Sequence, residues 1–155
     1  MNTSGRHLLV EYIGCDFDVL NDADQIETLM KAAAIAAKTN IVFSKFKPFQ
    51  PQGVSGVVVV EESHLSIHTW PEYGYAAIDF FTCGEGDPKD AHEVLKRGLR
   101  AQHFEMIFVE RGLDLSGANP CMRLRSHTQD STPASIEALE PVVAEPVESS
   151  EFQLQ

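Results

Sequence analysis

The stretch VVVVEESHLSIHTW, residues 57–70, constrains the fold more than any other part of the chain. It opens as an apolar run that reads as a buried strand. After two carboxylates it resumes with apolar and polar residues in alternation. Side chains on a strand alternate between faces, so His64, Ser66, His68 and Trp70 share one face while Leu65, Ile67 and Thr69 take the other. A chain containing this stretch must build a sheet with one apolar and one polar, aromatic face.

The flanking segments fit that demand. RHLLVEYIG reads as a strand ending at Gly14, and LNDADQIETLMKAAAIAAKTN as a helix capped by Asn21 or Asp22. Ile26, Leu29, Met30, Ala33 and Ala37 form the apolar stripe of that helix. IVFSKF is a short strand, KPFQPQG breaks the pattern, and VSGVVVV reads as a strand buried on both faces. YAAIDFFTC is a strand, KDAHEVLKRGLRAQ an amphipathic helix, and FEMIFVERG the final strand. Two helices against about six mostly hairpin-linked strands predict an α+β fold, a two-layer sandwich of a mainly antiparallel sheet packed on two helices.

A chain of 155 residues suits one domain. The net charge of −11 is uneven: residues 126–155 hold six acids and no Lys or Arg, leaving −5 for the first 125. The division expected is therefore a folded domain over 1–125 and a Ser/Thr/Pro/Glu-rich tail over 126–155, too poor in large apolar residues to offset its ordering entropy. Acidity without a Lys/Arg stripe argues against nucleic acid as a partner. The opening MNTSGRHLLVEYIG has its apolar run broken by Glu11, unlike a signal peptide or membrane span, so a cytoplasmic protein without a membrane partner is expected. Cys15, Cys83 and Cys121 are an odd number with no CxxC spacing, which favours free thiols over disulfides or structural zinc.

Three readings of the polar face stand open on residues alone. It is the solvated side of an antiparallel sheet; or His64, His68 and Cys83 are metal ligands, lacking a diagnostic spacing and a fourth partner; or Cys83 and His68 form a nucleophilic pair.

The strings RHLLVEYIGCD, FQPQGVSGVVVV and EESHLSIHTWPEYGYAAIDFFTCG resemble the prokaryotic S-adenosylmethionine decarboxylase proenzymes, small pyruvoyl-dependent enzymes that supply aminopropyl groups for spermidine. The likeness runs in unbroken order from about residue 5 to 115. It implies that the Ser63 hydroxyl attacks the carbonyl of Glu62, that the chain cuts itself there, and that residue 63 becomes a covalent pyruvoyl group. No metal or external cofactor is implied. By the same resemblance His68 moves a proton during processing with Ser55 as its hydrogen-bonding partner, and Cys83 returns a proton to the substrate α-carbon after carbon dioxide leaves. Phe49 and Trp70 are the candidates to stack on adenine and attract the sulfonium, and Glu72 to hold the ribose hydroxyls. Small members of the family work as dimers, which implies a homodimer with residues of both subunits at each site. The alternatives in function are a pyruvoyl-dependent arginine or ornithine decarboxylase of the same fold, needing no adenine platform, and a non-catalytic partner protein, which would be expected to lose Ser63.

Overall fold

The computed structural model describes residues 4–61, 63–114 and 119–128, with residues 114 and 119–128 described by backbone alone. Seven strands form one sheet: β1 (Gly5–Ile13), β2 (Ile41–Pro48), β3 (Val54–Val60), β4 (Ser63–Trp70), β5 (Tyr75–Thr82), β6 (His103–Asp114) and β7 (Asn119–Thr128). Their order is β2-β3-β4-β5-β1-β6-β7, and every neighbouring pair is antiparallel. Among the described residues three helices, α1 (Phe17–Asn21), α2 (Ala23–Ala36) and α3 (Pro88–Gly98), complete a two-layer α+β sandwich. Among the described residues no helix is long and apolar enough to cross a membrane.

The core lies between the helices and one face of the sheet. Leu8, Val10 and Tyr12 of β1, Val58 and Val60 of β3, Leu65 and Ile67 of β4, and Ala76, Ile78 and Phe80 of β5 are buried there. They pack in one cluster with Ile26, Met30 and Ala33 of α2 and Leu95 of α3. Alternation of apolar residues fixes which face turns inward, because a one-residue slip would expose the whole set. Among the described residues no helix covers the other face of the sheet.

Three details differ from the sequence reading. The segment before α2 forms a separate short helix, because the Asp16 carboxylate accepts from Val19 N–H and caps it one turn earlier. Asp22 then ends α1 in an extended conformation and caps α2 through Asp24 and Gln25 N–H, as one of the two expected caps. β3 is not buried on both faces: Val54, Val58 and Val60 are sealed while Val57 and Val59 are half-buried, since helices cover one side alone. FEMIFVERG is not the last strand either, for β7 pairs along β6 and runs three residues past the expected boundary at 125. The rest of the acidic segment, 129–155, lies outside the described residues.

Candidate active site

Sheet register lays out the open face in rows. Proceeding from one end, Gly5 of β1 neighbours Cys83, which directly follows β5, and the next row is His7, Phe81, His64, Val59 and Phe43. Then come Leu9, Asp79, Ser66, Val57 and Lys45, followed by Glu11, Ala77, His68, Ser55 and Lys47. Ile13, Tyr75 and Trp70 close the far end. The alternation expected of β4 is present: Leu65, Ile67 and Thr69 are buried, and the four polar or aromatic residues between them are not.

At the first end Ser63 opens β4, paired with Val60 of β3 and Thr82 of β5. It is half-buried and extended. Glu61 of the β3–β4 connection is exposed; its N–H donates to Asn40 O at 3.0 Å and its carboxylate accepts from Asn40 Nδ2 at 2.9 Å. Glu62 lies outside the described residues. Ser63 Oγ is 3.3 Å from His64 Nδ1. Because Ser63 pairs with Thr82, the exposed thiol of Cys83 is one residue from the serine's cross-strand partner. Thr82 is fully buried and its hydroxyl accepts from Gly84 N–H, which fixes the strand end that carries Cys83.

Cys83 is held by a gap. A Cβ on Gly5 would lie 3.2 Å from Cys83 Sγ and 2.5 Å from the Phe81 ring, so only glycine admits both side chains above β1. The Phe81 ring is boxed in: His7 lies 5.5 Å and His64 6.4 Å away by ring centroids, and Arg111 sits 4.7 Å over its face. Burial lowers the pKa of His7, opposed by Asp79 and assisted by Arg111 and His64. Cys15 is the contrasting thiol, buried, with its pKa pushed up to about 11 by desolvation. It is a packing residue.

The other end holds the remaining predicted residues. Ser55 Oγ and His68 Nδ1 are 2.6 Å apart across β3 and β4, so this predicted pair is brought together. Gly53, just before, has φ 97°, and a Cβ there would meet Thr69 O at 2.8 Å, so glycine fixes the entry to β3. Trp70 stacks on Tyr75 with centroids 5.1 Å apart, and Tyr75 Oη donates to the Glu11 carboxylate. Burial, then Glu11, push the Tyr75 pKa up to about 12. Glu72 is exposed in the 3-10 turn Pro71–Tyr73. Phe49 is half-exposed in the β2–β3 connection, its N–H bonded to Gly53 O at 2.8 Å.

Within one protomer the predicted residues thus form two clusters, not one. Five residue steps along β4 separate Ser63 from His68, about 16 Å at the usual rise per residue. His64, His68 and Cys83 are therefore not a common ligand set, and among the described residues no group of three or more His, Cys, Asp or Glu is placed to hold a metal ion. Gly5, His7, Glu11, Tyr75, Asp79, Phe81 and Arg111 were missed by sequence reasoning. Period-two alternation along β1 and β5 was the available signal, but the register that brings them beside β4 comes from strand pairing.

The family model for S-adenosylmethionine decarboxylase matches residues 6–112. The chain belongs to the S-adenosylmethionine decarboxylase family. A relative from Thermotoga maritima, an S-adenosylmethionine decarboxylase proenzyme, is 55% identical over 113 residues, covering 72% of this chain and 87% of that protein. A proenzyme of the same description from Pelotomaculum thermopropionicum is 50% identical over 114 residues, covering 73% and 90%. The crystal structure of the adenosylmethionine decarboxylase from Aquifex aeolicus superimposes with a TM-score of 0.65 at 35% identity, covering 73% of this chain and 94% of that one. Both clusters on the open face fall inside the span matched to the S-adenosylmethionine decarboxylase family, whereas β7 begins after it.

Proposed function

We propose that the chain matures by cutting itself before Ser63 and then decarboxylates S-adenosylmethionine at the new terminus. One observation carries this reading: Ser63 opens β4 beside the Thr82–Cys83 strand end, with a hydrogen-bonding group on its hydroxyl and a cradled thiol one residue away. The residues fit a pyruvoyl group made in place, since a serine at the start of a strand can become the first residue of a new chain without disturbing the pairing behind it. When present, that ketone supplies the electron sink for loss of carbon dioxide from an amino acid.

The chain's own residues do the rest. Ser63 provides the attacking hydroxyl, and the carbonyl of Glu62 is its target. Cys83, whose thiol is exposed, returns a proton to the substrate α-carbon. His68, oriented by Ser55, moves a proton during processing. Phe49 and Trp70 offer aromatic faces to adenine and the sulfonium, and Glu72 a carboxylate to the ribose.

The 16 Å between the clusters supports a homodimer. A second copy turned about a two-fold axis, open face to open face, brings its His68 cluster to this chain's Ser63. Phe43, Ile107, Ile13 and Trp70 are exposed on that face and would be covered. In this reading the enzyme is cytoplasmic.

Purified protein is expected to run as two pieces of about 7 and 10 kDa, in proportion to 62 and 93 of 155 residues and 17.1 kDa. Carbon dioxide release from S-adenosylmethionine should exceed that from arginine or ornithine. An intact chain with full activity, or preference for arginine, would sink the proposal.

A further inference from the structure

Within one protomer the histidine that reaches the serine is not the one the resemblance nominates. His68 is about 16 Å along β4 from Ser63 in the same protomer, and its Nδ1 is engaged by Ser55 Oγ at 2.6 Å. His64 Nδ1 is 3.3 Å from Ser63 Oγ. Consecutive strand residues point to opposite faces. The contact therefore requires the Ser63 hydroxyl to turn back toward the open face, where the half-buried His64 ring is held tilted at 56° against Phe81.

We propose that His64 is the base that takes the proton from Ser63 Oγ when the chain cuts itself. The inference rests on self-processing at Ser63 and assigns its first step. The Oγ proton passes to His64 Nδ1, and Oγ forms a bond to the carbonyl carbon of residue 62. The C–N bond between residues 62 and 63 then breaks, and the freed nitrogen takes the proton from His64. The amide has become an ester, His64 is neutral again, and no external reactant is consumed. The step requires the tautomer with the hydrogen on Nε2, which leaves Nδ1 free to accept. A base adjacent in the chain is positioned without a second subunit, so His68 is left to later proton movements.

His64→Asn tests this directly. Asparagine keeps a hydrogen-bonding atom near the place of Nδ1 but cannot take a proton at neutral pH. The full chain is followed on denaturing gels from the uncleaved state, with and without hydroxylamine, which cleaves an ester and leaves an amide. Both spontaneous and hydroxylamine-released fragments should appear slower by about 10²–10⁴-fold, the usual general-base contribution. His64→Ala should be slow as well and be accelerated by added imidazole, a rescue that a purely structural role would not give. His64→Gln, held to the same outcomes, serves if the asparagine chain does not melt like the Ser63→Ala control. Cleavage of His64→Asn within a few-fold of the native rate overturns the assignment. A Ser63→Ala chain that still splits would overturn the self-processing reading itself, which keeps the two failures apart.

Discussion

The two faces of the sheet use histidine in opposite ways. On the covered face His92 of α3 is 5% exposed, its Nδ1 2.7 Å from Tyr12 Oη and its ring 4.5 Å from Phe104. Burial lowers its pKa, and nothing about it is available to a ligand. On the open face His64 and His68 each meet a serine hydroxyl, and neither is sealed. One face spends its polar groups on docking a helix, while the other leaves them where a reacting group can come. Substitutions on the open face should therefore change chemistry with little change in melting, and those on the covered face the reverse.

The largest effect expected is that of Ser63→Ala. Without the attacking hydroxyl the chain should fold, stay whole and show no decarboxylation above background. Cys83→Ala should still split, because the Ser63 hydroxyl and the His64 ring beside it are left in place, but turnover should fall by about 10²–10⁴ through loss of the proposed general acid. A proton that goes to the wrong carbon leaves the new terminus as an amine instead of a ketone. Mass spectrometry of the larger fragment after incubation with S-adenosylmethionine reads that outcome. Native turnover with an unmodified terminus in Cys83→Ala would remove Cys83 from the mechanism.

Gly5→Ala should have a smaller effect of the same kind. Its Cβ would come within 2.5 Å of the Phe81 ring, and the ring, enclosed by His7, His64 and Arg111, has little room to retreat. The displacement passes to Cys83 Sγ. Self-cleavage should proceed, turnover should drop by about tenfold, a cost of about 1.4 kcal/mol in the barrier, and the share of aminated termini should rise. If turnover falls while that share stays at the native level, Gly5 serves folding and not the thiol.

How far the site could be read in the sequence follows from the distances its contacts span. Along one strand period-two alternation was enough: His64, Ser66, His68 and Trp70 do share a face, and Asp22 does cap a helix. Across strands it was not. Nothing local says that Gly5 lies under Cys83 or that Tyr75 bonds Glu11, because those contacts are created by β1 pairing with a strand 70 residues later. The split of the predicted residues into two ends was implicit in the count from Ser63 to His68, yet a family resemblance gathers roles without saying which copy supplies them. α1 was hidden by its length of five residues, too short for a period, and β7 by the polar composition of an edge strand.

The smallest effect belongs to the covered face. His92 faces Tyr12 Oη and the Phe104 ring, with Glu93 favouring and Lys96 opposing its charged form, and burial outweighs both. Its folded pKa is therefore below the ordinary 6.5, so under pH 6.5 the unfolded chain binds a proton that the folded chain resists. Stability that is fully present above pH 6.5 should decline as pH falls, until the folded pKa is passed. A single group can contribute at most about 1.4 kcal/mol per pH unit to that slope. His7 has a lowered pKa too and adds to it with the same sign, so the informative quantity is a difference between variants. Thermal melts of Ser63→Ala with and without His92→Gln, from pH 7.5 to 5, supply that difference in a chain that does not cleave. The glutamine variant should be less stable at pH 7.5, having lost the pairing with Tyr12, and its melting temperature should fall less on acidification. Parallel slopes would mean that His92 takes up its proton without loss of packing, and the contrast between the two faces would then rest on exposure alone.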